Sequence, residues 1–475
     1  MKNHSPMLTK EGEDWLHTPA KKISMPAIVV DLVQAFSGSY GVTQTDATIA
    51  VLQAMSLMTG PSHLVEDPFG RTYPLSLQIV SKCPPGCPYG RFLATICRGV
   101  IDVFAVEFGR DALRVKASAK AVNGEETLKE DAAMRALREE RQRSIFPFAE
   151  VLSPGLIHDL ALECKEVAIA SFSEGLALQS YLEEPAATRR GIRQFVNAGW
   201  SGMTVPGLAG HPVYPTVSFA WIASPALTAT AIEKGIVGEL LGLLIYQPES
   251  GSGVDRVVEG CSPAKVIQVW QAYVGDFATT MRMPLALRQM APQALPTLQF
   301  DDDGAMAIRR SAGLVNHAVP GSHAAAVLAQ APQQISKLAG LLSISNLKNE
   351  TVVKGCYVTT ATELFRHLAK ATIETLAAPE TEVDELEIGV EVLLGKLRAA
   401  GPLTVRGLSR KYDSQKKERI ERLLSEAMKR GLVEVSDGKY HVTGSLAGEN
   451  SDNCQCVSAS VADIPTNLVE FQEAL

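Results

Sequence analysis

The residues with the clearest chemical context lie between an apolar run, Pro74 to Val80, and a helical run that begins at Phe92. Between them stands Ser81-Lys82-Cys83-Pro84-Pro85-Gly86-Cys87-Pro88-Tyr89-Gly90-Arg91. A strand, a short Gly- and Pro-rich loop and a helix make the setting in which backbone N–H groups cradle phosphate, usually as GxxxxGK[ST]. Laid on Cys83 to Gly90, that pattern meets Cys83 and Pro88 where it needs glycine, with Gly86 inside the loop. Tyr89 stands for the lysine and Gly90 for the hydroxyl. Pro88 removes one N–H donor and fixes a backbone angle. The frame of a phosphate site is present without its chemical groups.

The elements that would carry this loop read as an α/β core. Two helices fill Pro26 to Gly60, the second from Asp46 to Met58 with Gly60 as its stop. After the loop helix, Phe92 to Phe108, Glu125 to Ser144 reads as a charged, solvated helix. Val167 to Phe172, Thr216 to Ala223 and Leu240 to Tyr246 read as buried parallel strands separated by crossover-length segments. From Ser262 to about Ala400 the pattern is helical, with runs at Pro263 to Phe277, Ala324 to Leu347, Thr360 to Ala377 and Glu382 to Ala400.

The chain has 475 residues, 46% hydrophobic and 20% charged, enough for two to four domains with a large core. Its most apolar stretch, Val237 to Tyr246, contains Glu239 and is about half of the ~20 residues that a membrane span needs. No membrane or secretion reading is supported, and eight sparse cysteines fit reduced thiols in cytoplasm. The net charge of −7 is uneven: residues Lys396 to Gly444 carry 12 Lys or Arg against 6 Asp or Glu, leaving −13 elsewhere.

That basic segment reads as a winged helix. Leu403 to Tyr412 gives a short helix, Asp413 or Ser414 caps a longer one ending at Lys429, and Gly431 stops it. Leu432 to Val435 and Tyr440 to Thr443 then flank Ser436-Asp437-Gly438-Lys439 as a hairpin. Ile420, Leu423, Leu424, Ala427 and Met428 make the face expected to be buried. Ser414, Gln415, Lys416, Lys417 and Arg419 stand at the helix end that enters a major groove. Arg406, Arg410 and Lys411 flank that helix, and Lys439 occupies the wing tip. These residues point to double-stranded DNA, with phosphate contacts from the cations and base contacts from Ser414 or Gln415. The alternative is a protein-interaction module with a solvated basic face. The last 31 residues hold five acidic residues and no Lys or Arg. Their first half reads as disordered, and Ile464, Leu468, Phe471 and Leu475 form one helical face suited to a protein partner or to the chain itself.

The order of parts resembles a family of P-loop proteins of unknown function, YfjI-like and associated with primases and helicases, found in phages, plasmids and other mobile elements. The matching stretches are Leu75 to Phe92, Val167 to Gly175, Trp200-Ser201-Gly202, Val217 to Pro225 and Gly238 to Pro248, so the likeness spans roughly Pro26 to Ala377. It implies a P-loop NTPase-like core of RecA/AAA type, with helical parts on either side and a C-terminal winged helix. The domain divisions are then 1–62, 63–260, 261–395, 396–444 and 445–475. Carried over by position, the family's acidic pair falls on Ser173-Glu174 and its later arginine on Gly242. Loop lysine, loop hydroxyl, metal-side carboxylate and arginine are then missing together.

Metal has weaker support. Cys83, Cys87 and Cys97 lack a second ligand pair, as do Cys454 and Cys456. There is no HExxH and no GxSxG. The reading is therefore a non-catalytic, DNA-binding scaffold of mobile-element replication, recombination or defence, with no catalytic residue, metal or cofactor assigned, and with room for homo-oligomerisation. An active ATPase or helicase with an unorthodox loop and a pure protein-interaction subunit are the alternatives.

Overall fold

A computed structural model describes residues 7–18, 24–59, 62–84, 87–104, 148–149, 152, 157, 166–206, 212–249, 263–290, 296–347, 350–377, 389–390, 393–394, 397, 401–411, 417–436 and 438–443. For 166–168, 237, 281–290, 409–411 and 417 only the backbone is described. The expected helix at Glu125 to Ser144 and the acidic tail lie outside these residues, as does most of Glu382 to Ala400. The chain forms two compact units, Met1–Gly395 and Lys396–Leu475.

The first unit opens with helices α1 (Lys10–His17), α2 (Ala27–Tyr40) and α3 (Gln44–Thr59). Every residue of α3 from Asp46 to Thr59 is buried, so this helix is an internal strut and not an amphipathic cover. A short hairpin follows, β1 (Leu64–Glu66) and β2 (Thr72–Pro74). Its turn is held by Asp67, whose Oδ1 accepts the N–H groups of Phe69 and Arg71 at 2.9 Å each. The strand expected from Pro74 to Val80 is thus divided. Pro74 closes β2, and the central strand β3 runs Gln78–Lys82. Helix α4 (88–104) follows.

The remaining elements of the main sheet are β4 (Phe148–Ala149), β5 (Glu166–Glu174), β6 (Val205–Pro206), β7 (Pro212–Ala223) and β8 (Leu243–Tyr246). Between them stand α5 (Leu176–Glu183), α6 (Ala186–Ser201), α7 (Pro225–Glu233) and α8 (Ile236–Glu239). The sheet order is β4-β5-β7-β3-β8, all parallel, with β6 antiparallel on β7. Numbered by their order in the chain, the five parallel strands lie as 2-3-4-1-5. Both faces are covered. Along β7, Val217, Phe219 and Trp221 pack with α5, α6 and α7, while Ala220 and Ile222 point into the other core with α2, α3 and α4. The free edge of β8 is closed by Thr372, whose Oγ1 accepts from Ile245 N–H at 2.9 Å and donates to Ile245 C=O at 3.0 Å.

The second half contributes α9 (Pro263–Met290), α10 (Asp302–Ser311), α11 (His323–Leu328), α12 (Ala331–Ile344) and α13 (Gly355–Ala377). It is not wholly helical, because β9 (Thr297–Phe300) and β10 (Val352–Val353) join the early hairpin in a second sheet, ordered β10-β9-β1-β2. Helix α12 carries a fully buried lysine, Lys337, between this sheet and the main one. Its Nζ donates to Trp200 C=O at 2.7 Å, Ser76 C=O at 3.2 Å and Ser76 Oγ at 3.3 Å, and lies 4.7 Å from the Trp200 ring centroid.

The second unit has α14 (Val405–Lys411), α15 (Lys417–Lys429) and the hairpin β11 (Val433–Ser436) and β12 (Lys439–Val442). Its hairpin is tighter than expected, the strands reaching Ser436 and Lys439, with Gly438 at φ 70° before the second strand. Leu403 bridges Tyr440 through backbone bonds of 2.9 and 3.2 Å, adding a third extended segment. Leu408, Ile420, Leu423, Leu424, Ala427 and Val433 are buried, whereas Met428 is 45% exposed and leaves the expected buried face.

Candidate functional site

In an open parallel sheet, ligands bind beyond the carboxyl ends of the strands, so that edge is the place to test the loop. The Cys83 N–H donates to Ala223 C=O at 2.8 Å, extending the β3–β7 ladder one residue past Lys82. Helix α4 then starts at Pro88, a residue suited to a first helical position because its missing N–H would have had no helical partner. Cys87 caps it, its Sγ accepting the N–H of Gly90 at 3.1 Å. Gly86 lies outside the described residues.

Tyr89, in place of the loop lysine, points inward and is fully buried. Its Oη accepts from Gln53 Nε2 at 2.9 Å, and its ring lies 5.3 Å from that of Tyr246. Burial, reinforced by the Cys83 thiol, pushes its pKa well above the ordinary phenol value, so the side chain is neutral. It is a core residue shared by α3, α4 and the sheet. Gly90 is buried as well, and a Cβ there would stand 3.2 Å from Cys87 Sγ.

Glu174 ends β5 at the same carboxyl edge of the sheet. Its Oε1 is ion-paired with Arg98 Nη2. The preceding Ser173 is buried, and its Oγ accepts the Ala177 N–H at 2.9 Å, which fastens the start of α5. The residue at the metal-side position therefore serves as a helix cap. Gly242 does not join this group: it precedes β8 at the opposite, amino-terminal edge of the sheet, with φ 78°. There a Cβ would meet the Trp200 ring at 2.0 Å, and the Gly242 C=O accepts from Gln334 Nε2 at 2.8 Å. Cys83, Tyr89, Gly90 and Glu174 are together at one edge; Gly242 is a packing position at the other.

A polar cluster that sequence reasoning missed closes the edge next to Tyr89. Asp46, fully buried at the start of α3, accepts the Tyr246 hydroxyl and the Glu249 N–H, the latter at 3.1 Å. His367 Nε2 lies 3.6 Å from Glu249 Oε1, and burial lowers its pKa against the opposing pull of Glu249. A buried aspartate at a helix start is normally read as an N-cap. Here only the fold, which brings β8 and α13 to it from 200 and more residues away, shows its other partners. Among the described residues no group of three His, Cys, Asp or Glu could hold a metal ion.

In the second unit, Arg406, Arg419 and Lys439 are exposed on α14, α15 and β12. Arg410, Lys411 and Lys417 lie on the two helices by backbone, and Ser414, Gln415 and Lys416 lie outside the described residues. Val435 is 46% exposed on the hairpin. No helix among the described residues is long and apolar enough to cross a membrane. No family model matches the chain, and no curated protein matches it.

Proposed function

We propose that the chain is a non-hydrolysing scaffold built on a P-loop-like core, with a winged-helix unit that contacts duplex DNA. The strand order 2-3-4-1-5, with the loop-bearing strand between the fourth and fifth, is that of RecA-type ATPase cores and supports the first half as a fold-level analogy. The observation that carries the loss of hydrolysis is Tyr89, a neutral, fully buried phenol where a lysine would reach phosphate. Glu174, occupied by Arg98, and Ser173, spent on a helix start, point the same way.

The exposed Arg406, Arg419 and Lys439, on two helices and a hairpin joined by the Leu403–Tyr440 bridge, support the DNA contact. The exposed Val435 and Met428 in the same unit favour a second reading, docking of a protein on that face.

The test is made on the full chain. Calorimetry with ATP and Mg²⁺ is expected to give no binding, and duplex DNA retention to fall linearly on a log–log salt plot. Arg419→Glu with Lys439→Glu should weaken retention and make the slope shallower by about 0.9 for each phosphate that the variant no longer neutralises. ATP turnover that collapses on Glu174→Gln would overturn the scaffold reading; DNA retention untouched by the charge reversals would leave the protein-docking reading in its place.

A further inference from the structure

The end of helix α4 that would face a phosphate faces sulfur instead. Cys87 is partly exposed at the helix cap, and Cys83 is buried behind it at the end of β3. Both cysteines border the same point beside Gly90, Cys87 with its Sγ and Cys83 with its Cβ. Cys87 Sγ also accepts the Gly90 N–H at 3.1 Å. Gly90 keeps the space between them open: a Cβ there would lie 3.2 Å from Cys87 Sγ and 3.7 Å from Cys83 Cβ. We infer that Cys83 and Cys87 form a redox-active dithiol, with Cys87 as the attacking sulfur and Cys83 as the resolving one, whose oxidants are small organic disulfides.

Three features separate Cys87 from the other described thiols. It is partly exposed where Cys83 and Cys97 are buried, it sits in the positive field of a helix amino terminus, and it shares the space beside Gly90 with a second cysteine. Its pKa is lowered by the Cys83 hydrogen bond, then by the Gly90 N–H and the Arg91 charge, against burial and Asp46, which raise it. Burial pushes the Cys97 thiol far up, so that residue stays inert. Cys356 is exposed but sits on α13, away from this pair.

The chemistry balances without metal or cofactor. The Cys87 thiolate attacks one sulfur of RSSR, forming a Cys87–S–S–R mixed disulfide and expelling RS⁻, which takes a proton from water. Cys83 gives its proton to water and attacks the Cys87 sulfur, expelling the second RS⁻. The protein loses two electrons and two protons, the disulfide becomes two thiols, and a Cys83–Cys87 bond remains.

The test treats the reduced full chain with 2-hydroxyethyl disulfide and maps cysteine peptides by mass spectrometry, which keeps the Cys454 and Cys456 peptides separate. The wild-type protein should yield a Cys83–Cys87 linked peptide with no lasting adduct. Cys83→Ser should stop at a stable mixed disulfide on Cys87, and Cys87→Ser should leave Cys83 unmodified. Pulsed alkylation of the wild-type protein should show Cys87 reacting faster than Cys356, with a half-point below the ordinary thiol value of about 8.5. A lasting mixed disulfide on wild-type Cys87, or alkylation of Cys87 no faster than that of Cys356, would overturn the inference, and neither measurement needs a variant to fold.

Discussion

Replacing Lys337 by methionine tests whether the core holds an uncharged amine. Burial drives the Lys337 pKa well below the ordinary lysine value, opposed by two carbonyls and the Trp200 face. Between that depressed value and the unfolded value of about 10.4, the unfolded chain binds more protons than the folded one, so stability rises with pH. The slope from this one group is about 1.4 kcal/mol per pH unit, and Lys337→Met abolishes it. Above the unfolded value of about 10.4 the lysine is neutral in both states. There the variant should be less stable by about 1–3 kcal/mol, because the Ser76 carbonyl and hydroxyl lose their donor. The Trp200 carbonyl keeps Gln333 Nε2 at 2.8 Å and adds little to the loss. Toward neutral pH the deficit should shrink along the slope just given. Urea unfolding followed by tryptophan fluorescence, at steps from about pH 7 to about pH 9.5, measures both lines, and their difference removes the thiols and phenols common to both. Parallel lines would mean that Lys337 carries its charge inside the fold and would refute the reasoning.

Two further outcomes follow from packing and charge at opposite edges of the sheet. Gly242→Ala combines a left-handed backbone with a Cβ placed 2.0 Å from the Trp200 ring, and should cost about 2–5 kcal/mol in urea unfolding at neutral pH. Arg98→Ala removes the ion pair to Glu174, but the Arg98 side chain is 53% exposed and solvent screens it, so the loss in the same assay should stay below about 1 kcal/mol.

The parallel strands are legible where the sequence is continuously apolar. Val167 to Phe172 and Thr216 to Ala223 fall inside β5 and β7, as buried strands with neighbours on both faces should. The central strand is displaced from its expected place because its buried Gln78 and Ser81 look like loop residues. Gln78 Nε2 is satisfied, at the limit of hydrogen-bonding distance, by Val196 C=O and Val217 C=O at 3.5 Å each, partners no local pattern reveals. The first hairpin escapes sequence reasoning because its strands have three residues each, although the Asp67-Pro68-Phe69-Gly70 turn stands between them to be read. At the site, the loop's departure from GxxxxGK[ST] is visible in the residues. The inward direction of Tyr89 and the Ser173 cap are not, since both depend on where α3 and α5 lie. Cys83 and Cys87, four apart, suggest from spacing only half of a metal site. Their use at a helix start needs the α4 boundary, which falls at Pro88 and not at Phe92.

The second sheet has a consequence for synthesis on the ribosome. Its hairpin leaves the exit tunnel early, but β9, which covers the other edge of β1, and β10, which pairs with β9, arrive much later; Gln299 and Glu66, side by side in the finished sheet, are 233 residues apart. At roughly 5–20 residues per second that is a wait of roughly ten to fifty seconds with an open strand edge. Native pairing therefore depends on nearly the whole first unit being translated.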